Sequence, residues 1–233
     1  MQVSFLYRLG LGLSVLVAST GILASTPIPA SLAATPPNAT SFPNPRLDLA
    51  NPPGSGLQTA VLAGGCFWGV EAVFEHVRGV TNVVSGFAGG QPATASYKAV
   101  SNGQTGHAEA VQITYDLKQV SYGQLLKVYF SIAHDPTQLN RQGPDQGSQY
   151  RSAIFFSSAQ QQQIAQAYIQ QLGQARIFPK PIVTQVAPLR GFYAAETFHQ
   201  NFVSRNPAHP YVVFHDLPKL AQFKAQLPGL YRP

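Results

Sequence analysis

Apolar positions along the chain change their spacing several times, and each change marks an element. "QTAVLA" (58–63) is a short continuous apolar run, of strand length, broken by Gly64 and Gly65. Phe67, Val70, Phe74 and Val77 then recur at helical spacing, and Gly79 closes the helix. "TNVVSGFAGG" (81–90) predicts a second strand ending in glycines. A polar loop (91–106) leads to "HAEAVQITYD" (107–116), a third strand. Ser121 with Gln124 forms a capping-box pattern ahead of a helix carrying Leu125, Leu126, Tyr129 and Phe130. A long polar loop (133–150) precedes the strand "RSAIFFSS" (151–158). Ser158 with Gln161 opens a helix with Ile164, Ala165, Tyr168 and Leu172 on one face and Gly173 at its end. "PIVTQVAP" (181–188) predicts a strand and "YAAETFHQNF" (193–202) a short helix. Five prolines between Asn206 and Pro233 predict a coil-rich tail.

Up to Ser157 the order is strand, helix, strand, strand, helix, strand. It predicts an α+β fold: a two-layer sandwich with a ferredoxin-like βαββαβ core and extensive coil. Long polar loops in so small a domain usually carry function.

The N-terminal stretch has a different pattern. Arg8 precedes an apolar run from Leu9 to Ala24, followed by small residues and prolines ending in "SLAAT". Residues 1–34 read as a secretory signal peptide, cleaved after Ala33 or Ala34. The expected location is then extracytoplasmic or periplasmic. An uncleaved membrane anchor is the alternative, although Gly10, Gly12, Ser14, Ser19, Thr20 and Gly21 make the run a weak span. With no cysteine near the cleavage site, a lipid-anchored form is excluded. Residues 35–56, rich in Pro, Asn, Ser and Gly, read as a flexible linker, which makes 57–233 the folded domain.

Composition changes this picture in two ways. Lys and Arg number 15 against 9 Asp and Glu, but the basic residues are scattered singly, so no stripe for nucleic acid forms. The chain also holds a single cysteine, Cys66. Secreted domains normally pair their cysteines, and one cannot pair internally.

Cys66 falls where a strand turns into a helix. There the unpaired N–H groups and the helix dipole favour a thiolate and predict a lowered pKa. A buried, inert cysteine is the competing reading. Glu109 shares a strand face with Val111, Ile113 and Tyr115, surroundings that raise a carboxyl pKa and make it a proton donor. A strand-end glutamate bending into solvent is equally compatible with the spacing. Phe67, Trp68, Tyr97 and Tyr150 lie near breaks in the pattern, able to form an apolar slot and to offer hydroxyls, or to serve as core. The six histidines (His76, His107, His134, His199, His209 and His215) show no HxH, HExxH or Cys/His ligand spacing, which gives a metal site little support.

"GGCFWGVE" (64–71), "GFAGG" (86–90), "SYKAVSNGQTGHAEAV" (96–111), "HDPTQLNRQGPDQGSQYRSAIF" (134–155) and "AAETFHQNF" (194–202) together resemble the A-type peptide-methionine sulfoxide reductases over most of the predicted domain. The resemblance implies reduction of the S epimer of methionine sulfoxide in proteins, and free methionine sulfoxide is a further candidate. It implies Cys66 as nucleophile, Glu109 as acid, Tyr97 and Tyr150 as holders of the sulfoxide oxygen, and Phe67 and Trp68 as the methyl pocket. Asp145 falls at the family's loop aspartate. No metal or organic cofactor is implied, and a monomer is expected.

The chain departs from many relatives by lacking a second cysteine. Oxidised Cys66 is then expected to be regenerated by a thioredoxin-like protein or a small thiol. Phe87 and Phe198 stand where tyrosines are common, so two hydroxyls are missing. Two rival readings stay open from the residues alone. One is a thiol peroxidase, for which no motif supplies the Arg or Thr that would polarise a peroxide. The other is a secreted, non-enzymatic binding module.

Overall fold

The computed structural model describes residues 41–49 and 56–233. Its secondary structure begins with strand β1 (Leu57–Gly64), helix α1 (Phe67–Glu75), strand β2 (Val80–Ala88), a short helix α2 (Tyr97–Val100) and strand β3 (Ala108–Asp116). Helix α3 (Tyr122–Val128) runs into a π-helical turn (Tyr129–Ala133). A two-residue-stranded hairpin follows, β4 (Arg141–Gln142) with β5 (Asp145–Gln146). Next come β6 (Ser152–Phe156), α4 (Ala159–Gln174), β7 (Gln185–Pro188), β8 (Phe192–Ala194), α5 (Phe202–Arg205) and α6 (Leu217–Gln226).

Six strands form one sheet in the order β7-β6-β1-β3-β2-β8. Its four inner strands, β6-β1-β3-β2, are all antiparallel neighbours, and they carry the expected ferredoxin-like core. β7 adds to β6 in parallel, and β8 adds to β2 antiparallel.

Strand alternation decides the two faces. Leu62, Val111, Ile113, Tyr115 and Ile154 pack into the main core with Phe67, Val70, Val73 and Phe74 of α1, and with helices α3 and α4. The opposite face carries small residues, among them Ala63, Ala88, Ala108, Ala110 and Ala153. It is closed by the β7–β8 region through Ala187, Leu189 and Phe192. Both predicted caps form. Ser121 and Gln124 make a reciprocal capping box, and the Ser158 side chain accepts the Gln161 N–H.

The structure differs from the sequence reading in three places. First, part of the expected linker is docked. Phe42 is buried in the core against Phe178, and its neighbours bond to α4: the Tyr168 hydroxyl donates to Pro43 O at 2.9 Å and Gln171 Nε2 to Asn44 O at 2.8 Å. Asp48 accepts the Gly123 N–H at 2.8 Å in the first turn of α3. One aromatic anchor suffices because side chains of the domain satisfy the segment's backbone, and composition does not reveal this. The expected signal peptide lies outside the described residues. Second, 193–202 is not one helix. β8 ends at Ala194, a 3-10 turn spans Thr197–His199, and Asn201 takes φ 54°, which breaks the run before α5. Third, the proline-containing tail is largely helical: a π-helical stretch (Val212–Asp216) runs directly into α6, and the widened turns ahead of Pro218 accommodate a residue without an N–H. Among the described residues no helix is long and apolar enough to cross a membrane.

Candidate active site

The end of β1 makes the corner that presents Cys66. Gly65 has φ +93°, and a Cβ added there would come within 2.5 Å of the Gln142 side chain, so the turn requires glycine. Cys66 is the N-cap residue of α1 and is half-buried. Its register neighbour explains the next contact. β1 pairs with β3 through Leu62 and Val111, and continuing that register sets Gly64 opposite Glu109. Glu109 Oε2 accordingly accepts the Phe67 N–H, the first of α1, at 3.0 Å.

Glu109 is 2% exposed and points with Val111, Ile113 and Tyr115, as the alternation predicts. Burial pushes its carboxyl up to about 8; the Phe67 N–H opposes the rise and the Asp145 charge adds to it. The acid is therefore protonated at neutral pH.

The thiol differs from expectation. Burial raises the Cys66 pKa well above its ordinary value, with the Glu109 charge adding to the rise, while the Trp68 N–H favours the thiolate. Desolvation outweighs the helix start. The Glu109 contribution acts only once that carboxyl has lost its proton.

Tyr97 opens α2, and its N–H donates to Glu196 Oε1 at 3.0 Å. Tyr150 ends a 3-10 turn. The next residue, Arg151, pins that turn to the start of β3, donating to Ser148 O at 2.8 Å, Gly106 O at 2.9 Å and His107 O at 3.1 Å. Both tyrosine hydroxyls are held above their ordinary pKa, first by burial and then by the Glu109 charge, with Cys66 and Asp145 contributing. Both are thus neutral donors beside the thiol and the acid. Asp145, in the β4–β5 hairpin, accepts the Tyr211 hydroxyl at 2.5 Å.

Phe67 and Trp68 lie in an aromatic cluster. Trp68 stacks on Phe202 with centroids 3.6 Å apart, and Tyr211 meets it edge-on at 5.9 Å. Phe67 is buried between Phe87 at 5.8 Å and His199 at 5.1 Å. The Trp68 indole N–H donates to His199 Nδ1 at 3.1 Å, which fixes the histidine tautomer with its proton on Nε2.

All seven residues singled out in the sequence therefore meet at one corner. Sequence reasoning missed His199, Phe202 and Tyr211, which complete the aromatic wall. His199 and Phe202 lie in the "AAETFHQNF" motif, but Tyr211 lies in the tail expected to be coil. A separate cavity of about 450 Å³, lined by Leu172, Arg176, Phe178 and Lys180 among others, shares no residue with this cluster.

This is the architecture of a thiol-dependent oxidoreductase, a cysteine paired with a protonated buried acid. Residues 58–229 match the family model for peptide methionine sulfoxide reductase. The chain is 57% identical over 176 residues to peptide methionine sulfoxide reductase MsrA 2 of Mesorhizobium japonicum, covering 76% of this chain and 90% of that one. It is also 57% identical over 188 residues to MsrA 2 of Synechocystis sp., covering 79% and 87%. Among solved structures, methionine sulfoxide reductase A of Corynebacterium diphtheriae is similar with a TM-score of 0.57 at 36% identity, covering 72% of this chain and 85% of that one. Reduced Mxr1 of Saccharomyces cerevisiae gives 0.59 at 31%, covering 69% and 91%. The chain belongs to the peptide methionine sulfoxide reductase family, and its reaction is the thiol-dependent reduction of methionine sulfoxide.

Proposed function

We propose that the chain repairs the S epimer of methionine sulfoxide in oxidised proteins, with Cys66 as nucleophile and Glu109 as acid. The Cys66 sulfur attacks the sulfoxide sulfur while Glu109 delivers a proton to the sulfoxide oxygen. Tyr97 and Tyr150 donate hydrogen bonds to that oxygen, and Phe67 and Trp68 receive the methyl group. Oxygen passes to Cys66: the sulfoxide is reduced to the thioether and the thiol becomes a sulfenic acid. Asp145 keeps Tyr211 in the aromatic wall.

The observation that carries this reading is the Glu109–Phe67 contact, which holds a protonated carboxyl against the residue following the thiol. A neutral acid that gives up its proton as charge develops on oxygen favours the transition state over the ground state. An ionised Glu109 would repel the oxygen.

With Cys66 as the only cysteine, the sulfenic acid is resolved by an external thiol. That thiol condenses with it, releasing water and leaving a mixed disulfide; a second thiol then frees Cys66. A thioredoxin-like protein or a small thiol fills this role. The leader-like pattern of residues 1–34 supports export, and the site is complete within one chain, which supports a monomer. Single-turnover reduction of the S epimer tests the assignment. Cys66→Ser is expected to abolish product and Glu109→Gln to slow it sharply; an undiminished rate in Glu109→Gln would sink it.

A further inference from the structure

Segment 195–202, which carries two partners of Trp68, is held from three sides. Gln200 brackets Ser85 of β2: its Oε1 accepts the Ser85 N–H and its Nε2 donates to the Ser85 carbonyl, each at 2.9 Å. Glu196 accepts the Tyr97 N–H. The third hold comes from α1 itself. Glu71 lies on that helix one turn beyond Trp68, and its Oε2 accepts the Asn201 N–H at 3.0 Å. Asn201 adopts φ +54°, the left-handed conformation that asparagine tolerates better than other residues with a side chain, and this turn aims its N–H at α1.

Glu71 is 1% exposed, and Ser85 of β2 lies beside its carboxyl. Burial pushes the carboxyl up to about 7, against the pull of the Asn201 N–H. A buried carboxyl is costly, and the chemistry at Cys66 does not use this one. What it grips is the stretch on which His199 accepts the Trp68 N–H and Phe202 stacks on the indole.

We propose that Glu71 is a positioning residue of the substrate pocket: by holding the Asn201 N–H, it keeps His199 and Phe202 seated on Trp68 and so sets the width of the slot for the methyl group. The inference rests on Trp68 forming that slot.

Trp68 is the only tryptophan, so its emission and its quenching by acrylamide report on the wall without substrate. Glu71→Gln keeps an acceptor for the Asn201 N–H, whereas Glu71→Met fills a similar volume and offers none. Glu71→Gln is expected to match wild type in emission, quenching and KM. Glu71→Met is expected to shift the emission, increase quenching and raise KM for an S-configured N-acetylmethionine sulfoxide roughly tenfold, with kcat altered less than about twofold. Gln200→Ala frees the same segment from β2 and is expected to give the same changes to a smaller degree; it carries the test if Glu71→Met does not fold. Wild-type emission and KM in folded Glu71→Met or in Gln200→Ala overturns the proposal, as does a loss in Glu71→Gln equal to that in Glu71→Met. Trp68→Ala separates the premises. If it raises KM while Glu71→Met shifts emission alone, the clamp fails. If neither variant alters KM, the pocket assignment fails and the inference with it.

Discussion

Two buried glutamates flank the helix that begins at Cys66, and they differ in what they face. Glu109 reaches in from β3 and takes a backbone N–H from the first turn of α1. Glu71 reaches out from α1 and takes a backbone N–H from the segment behind Trp68. Both are almost wholly buried, accept at 3.0 Å, and have carboxyls raised by desolvation, to about 8 and about 7. Neighbours rather than burial separate their roles. Glu109 shares its surroundings with the Cys66 thiol and two tyrosine hydroxyls, whereas Glu71 faces the backbone of Asn201, the Glu75 carboxyl one turn on and Ser85. A raised pKa marks a proton donor only where an acceptor oxygen can be brought to it.

The sharpest way to break the comparison is to neutralise each in turn. Glu109→Gln is expected to lower the single-turnover rate by about 10²–10⁴, the usual range for general acid catalysis. Glu71→Gln is expected to stay close to wild type in the same measurement. Equal losses would mean that the two acids do the same work. Next in size are the hydroxyls. Tyr97→Phe and Tyr150→Phe are each expected to slow the same step by roughly a hundred- to a thousandfold, as loss of a donor to a developing oxyanion does. Rapid-quench kinetics at saturating sulfoxide would show it.

Stability should move the other way. A carboxyl raised in the folded state keeps its proton while the unfolded chain loses its own near the ordinary value of about 4.3. The folded state therefore binds more protons between that value and about 8, so Glu109 makes stability fall as pH rises through this window. Glu109→Gln removes the penalty and keeps an acceptor for Phe67. Its melting temperature is expected to equal that of wild type near pH 4 and to exceed it by roughly 5–10 °C at pH 8. Glu71→Gln should show a smaller gain of the same sign, and a gain in neither would remove desolvation as the shared cause. The smallest effect on activity belongs to a site remote from both acids. Phe42→Ala is expected to cost about 3 kcal/mol in denaturant unfolding and to leave kcat/KM unchanged.

Much of this was legible in the chain. The change from apolar run to helical spacing at Gly64 and Gly65 located the Cys66 corner. Strand alternation put Glu109 on the apolar face. Capping residues fixed the starts of α3 and α4. What periodicity could not show depended on distant partners. The thiol pKa was read from the helix start, but the desolvation that raises it comes from the whole fold. Glu71 ends the "GGCFWGVE" motif, but spacing gives it no partner, which comes from Asn201, 130 residues away. Tyr211 looked like part of a proline-broken tail, because the wall it completes is assembled from α1, β5 and the turn before α6.

The docked segment at 41–49 bears on the order in which the molecule forms. Tyr168 and Gln171 hold Pro43 and Asn44 across separations of 125 and 127 residues, so this contact closes a loop spanning more than half the chain. Closing so long a loop costs chain entropy that only a nearly complete core can offset. Residues 41–49, which emerge ahead of β1 during synthesis, are thus expected to be among the last to settle, once α4 is in place. Phe42 then acts as a latch on a domain that is already built.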